Sequence, residues 1–282
     1  MMACGCGRSP DFCRGWHALS EAEWQAELLV LQAEQVAQTV PKKPTDDMHR
    51  VEVTEVHHYT DKLFRLRTTK PEGYTFKAGE FAMISLGDTC KRAYSFTSSP
   101  KDNFLEFYSI KVPNGVLTSR LKWQHPSDHI YVGKKSTGTL LLENLLPGRR
   151  LWLLATGTGI APFMSLVRQG DIFNVFAEVN VVWSVRNQRE LESYRATLTG
   201  YNLNLFPTVT QDELFIGYQD RITKLIEDKI VLSEMDPDHD RVMLCGSMEF
   251  NEDVKNILDA NGFAEGNTGT PGDYVVEKAF VG

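Results

Sequence analysis

Arg92, Ala93, Tyr94 and Ser95 set a guanidinium, an aromatic ring and a hydroxyl within four consecutive positions. A guanidinium can grip a phosphate through two parallel hydrogen bonds. An exposed ring can lie on a flat heterocycle, and the Ser95 hydroxyl can meet a ring nitrogen that receives hydride, such as flavin N5. Tyr108 follows, and then come Lys111, Pro113, Asn114, Gly115, Val116, Leu117, Thr118 and Ser119. Asn114 and Gly115 spell a turn. Leu117, Thr118 and Ser119 are expected to open a short helix with outward-facing amides, an anion site suited to the pyrophosphate of a flavin dinucleotide. A barrel strand and turn without a ligand is the plainer reading of the same residues.

A second set begins at Gly157, Thr158, Gly159, Ile160, Ala161 and Pro162. The glycines would let the backbone approach a ligand, and the helix that follows would present its positive end to the pyrophosphate of a nicotinamide dinucleotide. Pro162 stands where the Rossmann fingerprint has its third glycine, and it suits a first helical turn. Further on, Cys245, Gly246 and Ser247 close a buried strand at the carboxyl edge of a sheet, where ligands bind such folds. Cys245 reads as a shaped, polarisable neighbour to the chemistry rather than as a nucleophile, or simply as a small core residue.

The third set is Cys4, Cys6, Cys13 and His17. Three thiols and one imidazole within fourteen residues can close around zinc or hold a [2Fe–2S] cluster, and an unligated tail is the alternative. The segment is similar in part to the CDGSH iron–sulfur motif, with a shorter loop and with Arg14, Gly15 and Trp16 before the histidine.

These residues need elements to hold them. At 282 residues and 42% hydrophobic content, the chain can bury two moderate cores. Ser20 and Glu23 make a capping box, and Trp24, Leu28, Leu31 and Gln35 recur at helical spacing, predicting a helix over 21–38. Pro41 and Pro44 then mark an extended linker. Short apolar runs at 51–53, 63–66, 81–86, 104–110, 130–132 and 139–142, with one helix over 117–123, predict a closed antiparallel barrel. From 151 onward the pattern changes. Continuous apolar runs at 151–155, 179–185, 203–209 and 242–245 alternate with helical stretches, the mark of a parallel sheet covered on both faces. The expected division is 1–47, a cysteine-rich appendage and linker; 48–147, a flavin barrel; and 148–282, a nicotinamide domain.

With 37 acidic against 30 basic residues, the net charge of −7 argues against nucleic acid as the main partner. No apolar run reaches the length of a membrane span, and no signal-peptide order is present, so no membrane association and a cytoplasmic location are expected.

From about Val51 to Gly282 the chain resembles the bacterial ferredoxin–NADP(+) reductases. The resemblance rests on the Arg92–Ser95 run, the Leu117-Thr118-Ser119 turn, the stretch from Gly157 to Phe163, the stretch from Met243 to Ser247 and the closing run Tyr274 to Val281. It implies a Greek-key FAD barrel followed by a Rossmann-like NADP(H) domain. Arg92, Ala93, Tyr94, Ser95, Tyr108, Lys111, Val116, Leu117, Thr118, Ser119 and Thr158 would contact FAD. Ala279 would pack near the isoalloxazine, Phe280 would lie by the adenine, and Glu277 would be the carboxylate near hydride transfer, alongside Ser95 and Cys245. NADP(H) would meet Gly157, Thr158, Gly159, Arg186, Thr210, Gln211, Arg221, Cys245, Gly246 and Ser247. The family usually has an arginine where Gln211 stands, which narrows the preference for NADP(H) over NAD(H). Arg186 and Arg221 can also be read as solvated arginines at helix ends.

The function so implied is hydride exchange between NADP(H) and FAD at flavin N5, with one-electron exchange to ferredoxin or flavodoxin, by a monomer. A reductase component feeding an iron–sulfur oxygenase, and a nucleotide- or metal-sensing module without turnover, are the alternatives.

Overall fold

The computed structural model describes residues 19–38, 46–112 and 115–278. The chain divides into two compact units, Met1–Pro44 and Thr45–Gly282. In the first, helix α1 spans Glu21–Gln38. Its start follows from the capping box: the Ser20 amide donates to Glu23 at 3.0 Å and the Glu23 amide to the Ser20 hydroxyl at 3.4 Å. The Pro41–Pro44 stretch lies outside the described residues.

The second unit holds two sheets. Strands β1 (Met48–His58), β2 (Leu63–Thr69), β3 (Phe81–Ser85), β4 (Arg92–Ser95), β5 (Phe104–Ile110) and β6 (His129–Thr137) form an antiparallel sheet in the order β4-β3-β6-β1-β2-β5. In β1 the apolar positions Val51 and Val53 are buried while the residues beside them face outward, as the period of two requires. The sheet curls until its edge strands meet, but they join at a single bridge, Phe96 to Phe107, and not along a ladder. The core inside includes Phe64, Leu66, Ile84, Phe96, Phe107 and Ile130. Leu121 of helix α2, Thr118–Leu121, and Leu117 just ahead of it plug the core; the helix is shorter than the expected 117–123.

The expected strand over 139–142 does not form. Thr139 instead turns toward the other sheet, its hydroxyl donating to the Val276 carbonyl at 2.7 Å, and a 3-10 turn follows at Leu142–Asn144. With its polar groups committed outside the antiparallel sheet, the segment has no ladder to join.

Strands β7 (Arg150–Thr156), β8 (Glu178–Val185), β9 (Asn204–Val209), β10 (Asp240–Gly246) and β11 (Tyr274–Lys278) make a parallel sheet in the order β11-β10-β7-β8-β9. Five consecutive buried residues in the middle of β7 show why its sequence does not alternate: both faces are covered. On one face Leu151, Leu153 and Ala155 pack with Phe163 and Leu166 of α3 (Ile160–Gln169) and Leu191 of α5 (Gln188–Leu198); the short α4 is Ile172–Val175. On the other, Trp152 and Leu154 meet α6 (Ile222–Glu227) and α7 (Met248–Ala260). The first of these cores also takes in Leu63, Tyr108 and Leu140 from the antiparallel half, so the two sheets share buried apolar surface. No described helix is long and apolar enough to cross a membrane.

Candidate functional site between the two sheets

Between the sheets runs a cleft of about 660 Å³, part of it open to solvent. Arg92, Ala93, Tyr94 and Ser95 of β4, Tyr108 of β5 and Thr118 of α2 line it from one half. Thr158, Gly159, Cys245 and Glu277 line it from the other. Residues that the sequence presents in separate places therefore border one space. Phe81, Ser109, Ile110, Val112 and Ala161 complete the wall; of these, Phe81 stands apart from every motif read from sequence. The available signal for Phe81 was the pairing of β3 with β4, which sets it opposite Ser95.

Tyr94 differs from expectation. It is buried, its ring edge-on to Phe107, with its hydroxyl accepting from Ser109 at 3.3 Å, although it still borders the cleft. Its register on β4 sets it opposite the buried Ala82, on the face turned to the antiparallel core, and burial pushes its phenol up to about 12. Tyr108 is buried too and shares a 2.5 Å hydrogen bond with Ser193 of α5.

The anion site at α2 also differs. The Ser119 amide is taken by the Gly115 carbonyl at 3.1 Å, and the Arg120 and Leu121 amides by Leu117. Tightening within the turn thus takes up the Ser119 amide, one of the donors expected to face outward. Leu117 and Ser119 are buried, Val116 is exposed, and these three and Lys111 do not border the cleft. Pro113 and Asn114 lie outside the described residues.

Deep in the cleft, Ser95 donates to a Glu277 oxygen at 3.5 Å, and the Thr139 amide reaches the other oxygen at 3.3 Å. Parallel pairing of β10 with β11 sets Cys245 beside Glu277. Burial pushes the Glu277 carboxyl up to about 7, against the pull of these two hydrogen bonds. Burial, with Glu277 adjacent, also holds the Cys245 thiol well above its ordinary range, so no reactive thiolate forms.

The strand–turn–helix around Gly157 is as the sequence predicts, and its glycines also meet demands of the backbone. Gly157 has φ +52°, a left-handed conformation. At Gly159 a Cβ would sit 2.1 Å from the Cys245 carbonyl oxygen. That glycine is needed for the close approach of β10, and it also lines the cleft. Trp183, missed from sequence because it reads as one more apolar strand residue, donates its indole N–H to the Gly157 carbonyl at 2.9 Å. Pro162 lies in the first turn of α3.

At the carboxyl edge of the parallel sheet, the Gln211 amide donates to the Arg186 carbonyl at 2.8 Å, so these residues and Thr210 stand side by side and exposed. Arg221 forms an exposed ion pair with Glu249 at 3.1 Å. Ser247 caps α7, its hydroxyl accepting from Phe250. Gly246 leaves room for the Thr156 hydroxyl, which accepts from the Ser247 amide at 3.2 Å. Ala279, Phe280, Cys4, Cys6, Cys13 and His17 lie outside the described residues, among which no cluster of metal-binding side chains occurs.

The donor set fits a flavin dinucleotide: the exposed Arg92 guanidinium, which donates to the Lys91 carbonyl at 2.9 Å and has further N–H donors to offer, two threonine hydroxyls for phosphates, tyrosines at the wall, and a hydroxyl and a carboxyl together.

Comparison with known proteins gives the following. Residues 153–256 match the family described as oxidoreductase NAD-binding domain. The chain is similar to ferredoxin–NADP reductase A of Sorangium cellulosum, at 44% identity over 250 residues, covering 82% of this chain and 89% of that one. It is 44% identical to the flavodoxin/ferredoxin–NADP reductase of Rhodobacter capsulatus over 252 residues, 82% and 92% of the two chains. Among solved structures it is similar to a ferredoxin NADP+ reductase from Neisseria gonorrhoeae with bound FAD and NADP, with a TM-score of 0.77 and 28% identity, covering 84% of this chain and all of that one.

Proposed function

The chain belongs to the ferredoxin–NADP reductase family, and from that premise we propose how the residues of its cleft divide the work. The protein is an FAD-dependent oxidoreductase that exchanges electrons between NADP(H) and ferredoxin or flavodoxin. FAD, when bound, supplies the chemistry that links two-electron hydride exchange to single-electron exchange.

The polypeptide's part is to bind and align. Arg92 and Thr118 hold the flavin phosphates, Tyr94 and Tyr108 wall the ring, and Ser95 places its hydroxyl at the edge where hydride arrives. Glu277, neutral through much of the range below its raised pKa of about 7, keeps that end free of a repelling charge. Cys245 packs beside it as a dry, polarisable surface. Gly157, Thr158 and Gly159, at the start of α3, receive the nicotinamide dinucleotide's pyrophosphate. Arg186, Thr210 and Arg221 take its 2′-phosphate, with Gln211 beside them. For Ala279 and Phe280, outside the described residues, the family resemblance supports roles near the isoalloxazine and by the adenine respectively. The observation that carries this reading is the single cleft in which β4 residues face Thr158, Cys245 and Glu277.

The test is anaerobic reduction of the yellow, FAD-loaded protein by NADPH, followed by turnover with ferricyanide or a ferredoxin. Flavin bleaching and turnover support the reading, and a flavin-loaded protein that does neither overturns it.

We propose further that Cys4, Cys6, Cys13 and His17 hold a [2Fe–2S] cluster or zinc, supported by their spacing alone. Metal analysis of purified protein, with loss of the metal in Cys6→Ala, is the check; a metal-free protein dismisses it.

A further inference from the structure

Glu106, in the middle of β5, is fully buried, yet it is a carboxylate in the seam between the two halves. Arg67 of the antiparallel half donates to it at 2.6 Å, and so does the Thr97 hydroxyl at 2.7 Å. From the parallel half, Arg168 of α3 donates at 2.6 Å, and the Tyr194 hydroxyl of α5 at 3.3 Å. Burial pushes the Glu106 carboxyl up, but Arg168 and the hydrogen bonds it accepts outweigh this and hold it below the usual range, so it is charged.

Around this pair the end of α3 is bolted to the loop after β4. Arg168 also donates to the Thr97 carbonyl at 2.7 Å, Ser165 to the Ser98 carbonyl at 2.7 Å, and Ser99 to Gln169 at 2.9 Å. The other end of α3 is the Gly157–Gly159 turn. A ten-residue helix is a rod of about 15 Å, so fixing its far end fixes where the turn stands. On the partner side, Glu106 and Tyr108 are two apart on β5 and therefore share a face. Among the β5 residues that line the cleft, Tyr108 also bonds α5 through Ser193.

A buried ion pair is a weak way to hold two bodies together for stability alone, since apolar residues of the same volume do as well. Its distinguishing property is direction: a guanidinium on a carboxylate tolerates little sliding. The shared core of Leu63, Leu140 and Leu153 already supplies non-directional adhesion.

Building on the function proposed above, we infer that Glu106 is a positioning residue for hydride transfer: through Arg168 it sets the register of α3, and with it the nicotinamide turn, against the flavin cleft. NADP(H) is gripped by the parallel half alone at its pyrophosphate and 2′-phosphate, so a slipped register leaves its binding intact. What is lost is the approach of the nicotinamide to the flavin. The rate of reduction at saturating NADPH must fall while KM holds.

The experiment uses FAD-loaded full-length protein carrying Glu106→Gln or Arg168→Lys. Anaerobic flavin reduction at saturating NADPH is expected to slow by roughly tenfold to a hundredfold in Glu106→Gln, the scale of an ångström of misplacement, and by less in Arg168→Lys. KM for NADPH should stay within about twofold on the same reasoning, and 4-deuterated NADPH should show a larger isotope effect. Reoxidation of dithionite-reduced protein by ferricyanide, which needs only the flavin, should not change. Wild-type rates in either FAD-loaded variant overturn the inference, as does an equal fall in reduction and reoxidation. If Glu106→Gln does not retain FAD, Arg168→Lys decides alone. Failure of wild-type protein to be reduced by NADPH would instead reject the functional reading beneath it.

Discussion

The indole N–H of Trp183 reaches from β8 across to the carbonyl of Gly157, in the turn just after β7, at 2.9 Å. Trp183 itself is wholly buried and paired in register with Ala155. A side chain of one strand thus pins the backbone of the neighbouring strand's turn, where Gly157 already holds a left-handed conformation.

Trp183→Phe keeps the apolar bulk but leaves the Gly157 carbonyl without its donor. A loss of about 1–3 kcal/mol in stability is expected, with KM for NADPH raised roughly fivefold if about 1 kcal/mol of that reaches the bound state. Urea unfolding and steady-state kinetics measure the two effects. An unchanged KM would mean that the turn holds its shape without the indole.

Gly159→Ala places a methyl group 2.1 Å from the Cys245 carbonyl oxygen, a backbone atom of a central strand that cannot swing away. Destabilisation at or above the usual overpacking range of about 1–3 kcal/mol is expected. Flavin retention should fall as well, since Cys245 lines the cleft. Thermal unfolding and FAD content report these. By contrast, at Gly157 a Cβ meets no atom within 4 Å, so Gly157→Ala should suffer only from its positive φ.

Glu277 predicts a pH dependence. Its pKa rises from 4.5 to about 7 on folding. Between those values the folded chain holds a proton that the unfolded chain has released. Stability therefore declines as pH rises through that window, by roughly 3 kcal/mol in all, and levels off above it. Glu277→Gln should flatten this slope while leaving stability near pH 4 little changed. Denaturant unfolding of both proteins from pH 4.5 to 8 tests it, and parallel curves would show that Glu277 is not the group responsible.

Gln211→Arg adds a guanidinium beside Arg186, to whose carbonyl the Gln211 amide is bonded at 2.8 Å. Both side chains are exposed, so the gain is modest, on the order of 1 kcal/mol for a charge pair with phosphate. KM for NADPH should fall more than KM for NADH. Equal effects on both cofactors would contradict a phosphate site at this edge.

The local patterns were legible in the residues themselves. Ser20 and Glu23 announce the start of α1, alternation at Val51 and Val53 announces a one-sided strand, and the apolar run ending at Ala155 announces a two-sided one. Each depends on neighbours within a few positions, which is why sequence order alone determines it. The same holds for the order of turn and helix after Gly157.

Tertiary structure decided what those patterns could not contain. Ser95 and Glu277 lie 182 positions apart and meet only because the two sheets dock. The burial of Tyr94, the use of the Ser119 amide within its own turn and the missing strand at 139–142 each depend on which surface arrives to cover or compete. That Gly159 must also make room for β10 shows only when that strand is seen against it. Glu106 reads as one more strand carboxylate until Arg168 closes on it from the other half. Chain neighbours set conformation, but charge, burial and reach depend on atoms brought near by packing, and these are where the chemistry of this cleft resides.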